Sequence, residues 1–87
     1  MTEMKLIQGT FSQEDAQNLL TELANAKIAF YEKKIRTVHQ LEEDIKHSEK
    51  KIIQLRDNLR KMINTIKSNP NFRVGIDTNI FITIVND

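Results

Sequence analysis

Between Gly9 and Pro70 the chain contains neither glycine nor proline, and this gap limits its fold more than any other feature. Relative to alanine, proline weakens a helix by about 3 kcal/mol and glycine by about 1. A stretch of this length without either, rich in Glu, Lys, Gln, Leu and Ala, is built to be helical almost throughout. Both glycines and the single proline (Gly9, Pro70, Gly75) fall outside it. The chain therefore reads as a helical body with short extended ends.

The periodicity agrees. Residues 4–10 mix apolar and polar side chains up to Gly9 and read as a strand. Ser12 is a good helix N-cap, with Asp15 three residues on, and Glu14 and Asp15 put negative charge where the helix dipole favours it. A helix over 13–38 follows. Its apolar residues Ala16, Leu19, Leu20, Leu23, Ala24, Ala26, Phe30, Tyr31, Ile35 and Val38 form one wide stripe. A second series is more regular: Val38, Leu41, Ile45, Ser48, Ile52, Leu55, Leu59, Met62 and Ile66 alternate steps of three and four. That is a coiled-coil seam with one polar member, Ser48. Glu32–Arg36, Glu42–Lys46 and Asp57–Lys61 are spaced to pair along the surface. Pro70 predicts the helix end near residues 67–69. Beyond it the period becomes two. Phe72, Val74, Ile76, Thr78, Ile80, Ile82 and Ile84 hold the even positions of a strand over 72–85, with a bend expected at Asp77–Asn79.

The helical region is either one rod of about 85 Å or a hairpin. A turn at 39–46 gives arms of similar length, 13–38 and 47–68, and sets the two strands side by side. A rod would leave both strands with open edges at opposite ends. The expected fold is therefore α+β: a long antiparallel, coiled-coil-like helical hairpin with its terminal strands in an antiparallel ribbon, in the order β-α-α-β, as one domain over 1–87.

The size of the chain bears on its partners. At 87 residues with no cysteine, it has a small core and no disulfide to reinforce it. Oligomerisation is the usual remaining support. The wide helical stripe, and the segment Ile80–Val85 with apolar residues on both faces, predict a homodimer. Its hairpins would form a four-helix bundle, with the ribbons able to merge. No apolar run approaches a membrane span, and no signal peptide is evident, so the expectation is a cytoplasmic protein without membrane association.

Three groups of residues are candidates for chemistry. His39, Glu43 and His47 share one face if helical, and imidazole and carboxylate are suitable zinc ligands. They fall in the expected turn, however, which would scatter them. The acidic run Glu42-Glu43-Asp44 reads as a solvated turn or helix start. The formal net charge is only +1, yet residues 27–67 hold eleven Lys and Arg against six acids. Within that basic set Lys50, Lys51, Arg56 and Lys61 are the candidates for contacting phosphates. Aromatic interleaving for bases is poor, and no phosphate loop, nucleophile elbow or metal knuckle is present. The expected function is a non-catalytic protein–protein interaction or assembly module without a cofactor. The alternatives are a nucleic-acid-binding accessory protein and, third, a metal-dependent enzyme.

Overall fold

A computed structural model describes residues 2–36 and 41–86. The chain forms strand β1 (Thr2–Phe11), helix α1 (Gln13–Ile35), helix α2 (Glu42–Lys67) and strand β2 (Val74–Ile82). The helices fold back on each other as a hairpin, and the strands pair antiparallel as a two-stranded sheet. The architecture is the expected α+β, β-α-α-β arrangement.

Each helix end has a local cause. Ser12 is the N-cap of α1, and its hydroxyl accepts from the Asp15 backbone N–H at 3.1 Å. Glu14 and Asp15 occupy the first turn, while Lys33 and Lys34 lie in the last, as the dipole favours. α2 begins at Glu42 rather than beyond residue 46. Leu41 is its extended N-cap, and the Leu41 carbonyl accepts from Asp44 and Ile45 at 3.0 and 3.1 Å. The acidic run expected in the turn thus forms the first helical turn, where three carboxylates offset the missing side-chain cap. α2 ends at Lys67 with Ser68 as C-cap, before Pro70 as expected.

Isoleucines from both helices, Ile28, Ile52 and Ile66, form the buried core together with Ala16 and Ser48. The seam residues Ile45, Leu55 and Leu59 are half-buried beside them. Met62 departs from the expected seam, being exposed while Ile63 is half-buried. A straight helix drifts against a strict heptad, so the inward position moves by one over several turns. Glu32 of α1 joins the helices electrostatically, lying 3.6 Å from Arg56 of α2 and 3.8 Å from Arg36. Glu42–Lys46 pairs at 3.5 Å as expected, but Asp57 pairs with Arg60 at 3.0 Å rather than with Lys61. Three- and four-residue separations are equally close on a helix, and the Arg60 guanidinium reaches the carboxylate first.

The ribbon is held at the open end of the hairpin. The Gln13 side-chain amide donates to the carbonyls of Asn69 and Phe72 at 2.7 and 2.8 Å. Arg73 donates to the Thr10 carbonyl at 3.1 Å. The whole chain extends 49 × 30 × 14 Å. A 26-residue helix is about 39 Å long, and a ten-residue strand adds about 34 Å. The long axis is too short for both in line, so the ribbon folds over the hairpin instead of prolonging it. Val74, Ile76 and Thr78 share a groove there with Leu20, Met62 and Ile66.

Candidate interaction surface

Strand pairing runs from Thr2–Ile82 to Phe11–Val74, with one irregularity between Lys5 and Ile7. Leu6 is the extra residue, a bulge in β1 opposite Thr78. The irregularity expected at Asp77–Asn79 therefore lies in the opposite strand. Its consequence is a change of parity. The partners of the inner residues of β2 are Thr2 and Met4 before the bulge, but Ile7, Gly9 and Phe11 after it. In a regular strand Met4 and Ile7, three residues apart, would sit on opposite faces. The bulge gives the ribbon one continuous apolar side. Gly9 has a φ of 158°, which L side chains rarely adopt, whereas a Cβ there would stand in ordinary contact with the Phe11 ring at 3.8 Å.

The hairpin covers only half of this side. Phe11, Ile7, Val74, Ile76 and Thr78 are half-buried. Farther out, Met4 is 51% exposed, Ile80 37% and Ile82 55%. The pairing stops at Ile82, and Ile84 and Val85 beyond it are also exposed.

α1 carries a second uncovered surface. Its wide apolar stripe divides into two ridges, because successive residues rotate by about 100°. Leu20, Ala24, Ile28, Tyr31 and Ile35 turn towards α2, and Ile28 is its buried centre. The stripe read from the sequence omits Ile28, which the structure buries. Leu19, Leu23, Ala26 and Phe30 form the other ridge at steps of four, three and four, on the back of the helix. Leu19 and Leu23 are half-buried, Ala26 is exposed, and Phe30 is 57% exposed with Lys34 lying over its ring. The one wide stripe read from the sequence is thus two surfaces, and Ala26 and Phe30 belong to the outer one. They lie too far round the helix to reach α2.

The total surface reflects both features. A compact chain of 10.2 kDa exposes about 5,300 Å². This chain exposes 7158 Å², and its radius of gyration is 16.0 Å against about 12 Å for a compact chain of this length. The difference of roughly 1,800 Å² exceeds the ~800 Å² that each partner gives to an interface of standard size.

The charged candidates are dispersed. Lys50 and Lys61 lie on the outer face of α2, with Lys51 half-buried on one flank. Arg56 is on the other flank, in its ion pair with Glu32. A groove between the helices is lined by Arg56, Arg60 and Lys67 together with Glu32. Glu43 and His47 are exposed one turn apart near the start of α2, and His39 lies outside the described residues. Among the described residues no three His, Asp or Glu side chains are grouped to hold a metal ion, and no helix is long and apolar enough to cross a membrane. Comparison with protein-family models, curated proteins and solved structures returned no match.

Proposed function

We propose that this chain is a small, non-catalytic protein–protein interaction or assembly module that acts as a homodimer. The observation that carries the reading is the uncovered apolar surface, shared between the outer half of the ribbon and the back of α1. Four buried apolar residues form the core among the described residues. That is little for a chain of this length, and burial of further Leu, Ile or Phe side chains at about 1.5–3 kcal/mol each changes the balance. The reading includes a cytoplasmic location, which a chain without cysteine suits.

The nucleic-acid alternative has less support. Lys50, Lys51, Arg56 and Lys61 point in three directions around α2, and Arg56 is already engaged by an acid. A phosphate-tracking surface needs cations that converge on one groove.

The test is thermal unfolding at protein concentrations from 1 to 100 µM. When folding is coupled to association, the midpoint rises with concentration. A midpoint independent of concentration over that range contradicts the homodimer. Steeply salt-sensitive binding to single- or double-stranded oligonucleotides, abolished by reversing Lys50, Lys51, Arg56 and Lys61, would favour the alternative.

A further inference from the structure

We infer that the back of α1 is the dimer seam, and that two copies meet along it in parallel. Leu19, Leu23, Ala26 and Phe30 of each copy would pack together, and Glu22 of one copy would pair with Lys27 of the other. This rests on the homodimer reading above and goes beyond it by specifying the contact and its direction.

The first ground is the spacing of the ridge. Steps of four, three and four are those of a two-stranded coiled-coil seam. The ridge lies on the side of α1 away from α2, so no part of the hairpin competes for it. Ala26, the smallest member, lets the two helices approach closely at the middle.

The second ground is charge. Glu22 immediately precedes the seam residue Leu23, and Lys27 immediately follows the seam residue Ala26. The two lie on opposite flanks of the ridge, five residues apart. They therefore do not meet on their own helix, where pairs form at three and four. Both are exposed, and neither has an ion-pair partner among the described residues. In a parallel two-stranded seam the residue before one apolar position meets the residue five further along the partner. Symmetry then makes two Glu22–Lys27 pairs per dimer. An antiparallel seam sets each flank against the same flank of the other copy. With Leu19 opposite Phe30, that geometry sets Glu22 beside Ala29 and Lys27 beside Leu20 of the other copy, so neither charge gains a partner. The charge pattern selects the parallel sense.

The third ground is the ribbon. Parallel pairing brings both ribbons to the same end of the assembly. The exposed residues Met4, Ile80 and Ile82 of both copies are then gathered at that end. The ~800 Å² per copy that a standard interface needs lies well within the roughly 1,800 Å² by which this chain exceeds a compact one.

The test combines charge exchange with cross-linking in the full chain. Glu22→Lys alone and Lys27→Glu alone each replace two attractions by two repulsions, and each should raise the dimer dissociation constant about tenfold. The double variant E22K/K27E should restore it to within about twofold. Because the chain lacks cysteine, Phe30→Cys introduces a unique thiol, and Ala26→Cys is the milder companion should Phe30→Cys fail to dimerise. Oxidation should join position 30 to position 30, or position 26 to position 26, across a parallel seam. In an antiparallel seam position 30 lies opposite position 19, and two copies of position 30 are about 17 Å apart. A stable dimer that shows no rescue, or that cross-links only between Leu19→Cys and Phe30→Cys copies, overturns the parallel seam and leaves the homodimer standing. A folded monomer at all concentrations overturns both.

Discussion

Replacing Gln13 by glutamate sets two forces against each other at the first residue of α1. A carboxylate in the first helical turn interacts favourably with the dipole, by typically 0.3–1 kcal/mol. On that ground alone Gln13→Glu stabilises. But the Gln13 amide donates two hydrogen bonds, at 2.7 Å to the Asn69 carbonyl and 2.8 Å to the Phe72 carbonyl. These join the start of α1 to the connection between α2 and β2, across 56 and 59 residues of sequence. Each neutral hydrogen bond contributes about 0.5–1.5 kcal/mol net. Both carbonyls are at an exposed site and regain some water, so the pair is worth about 1–2 kcal/mol. Glutamate keeps the size of the side chain but has only acceptors to offer two acceptors. The dipole term offsets part of the loss, leaving a destabilisation of about 1 kcal/mol. For a chain of this size that lowers the thermal midpoint by about 4–8 °C. Gln13→Ala, which removes the donors without adding charge, should fall by a similar amount. The assay is far-ultraviolet circular dichroism during thermal unfolding, with all variants at one protein concentration because association shifts the midpoint. A glutamate variant as stable as the parent, or more stable, would show that the dipole governs this position and that the tether contributes nothing.

Three other perturbations test different links. Ile52→Ala, in the centre of the helix–helix contact at 7% exposure, should cost about 2–5 kcal/mol by chemical denaturation, a large share of the ~4–13 kcal/mol expected for a chain of this length. Deleting Leu6 removes the bulge and leaves both faces of the ribbon in phase, so nuclear Overhauser contacts should still place Met4 opposite Ile80 and Ile7 opposite Thr78; deleting Gln8 also absorbs the bulge, but should move Leu6 opposite Thr78 and turn Ile7 to the outer face opposite Asp77. Arg56→Ala removes an exposed interhelical ion pair and should change stability by less than about 1 kcal/mol; a larger loss would mean that Glu32 and Arg56 organise the hairpin.

Much of the fold can be read along the chain because its causes are local. Ser12 announces a helix start and Pro70 a helix end, and the seam from Ile45 to Leu59 repeats faithfully enough to assign its inward face. The features that escaped depend on the opposite element. Glu42, Glu43 and Asp44 suit a turn and a first helical turn equally, and only the position of Leu41 separates the two. The Leu6 bulge has no signature in Met4-Lys5-Leu6-Ile7, since it is defined by what faces it on β2. Asp57 had two bases within reach, and spacing alone favoured Lys61. The candidate surface was legible as an excess of width in the apolar stripe of α1. That width did not reveal that Ile28 is the centre of one ridge while Phe30 belongs to another, because the direction of α2 divides them. The charge relation between Glu22 and Lys27 gains meaning only once the back of α1 is known to be uncovered.

Sedimentation equilibrium of the purified chain at low micromolar concentration tests the central claim most directly, because mass does not depend on how elongated the particle is. Pairing of the uncovered ribbon and α1 surfaces gives a mass of twice 10.2 kDa, with dissociation at greater dilution accompanied by loss of helix signal. A cooperatively folded species of 10.2 kDa throughout the micromolar range would contradict it, for one copy would then be stable with its apolar faces in water.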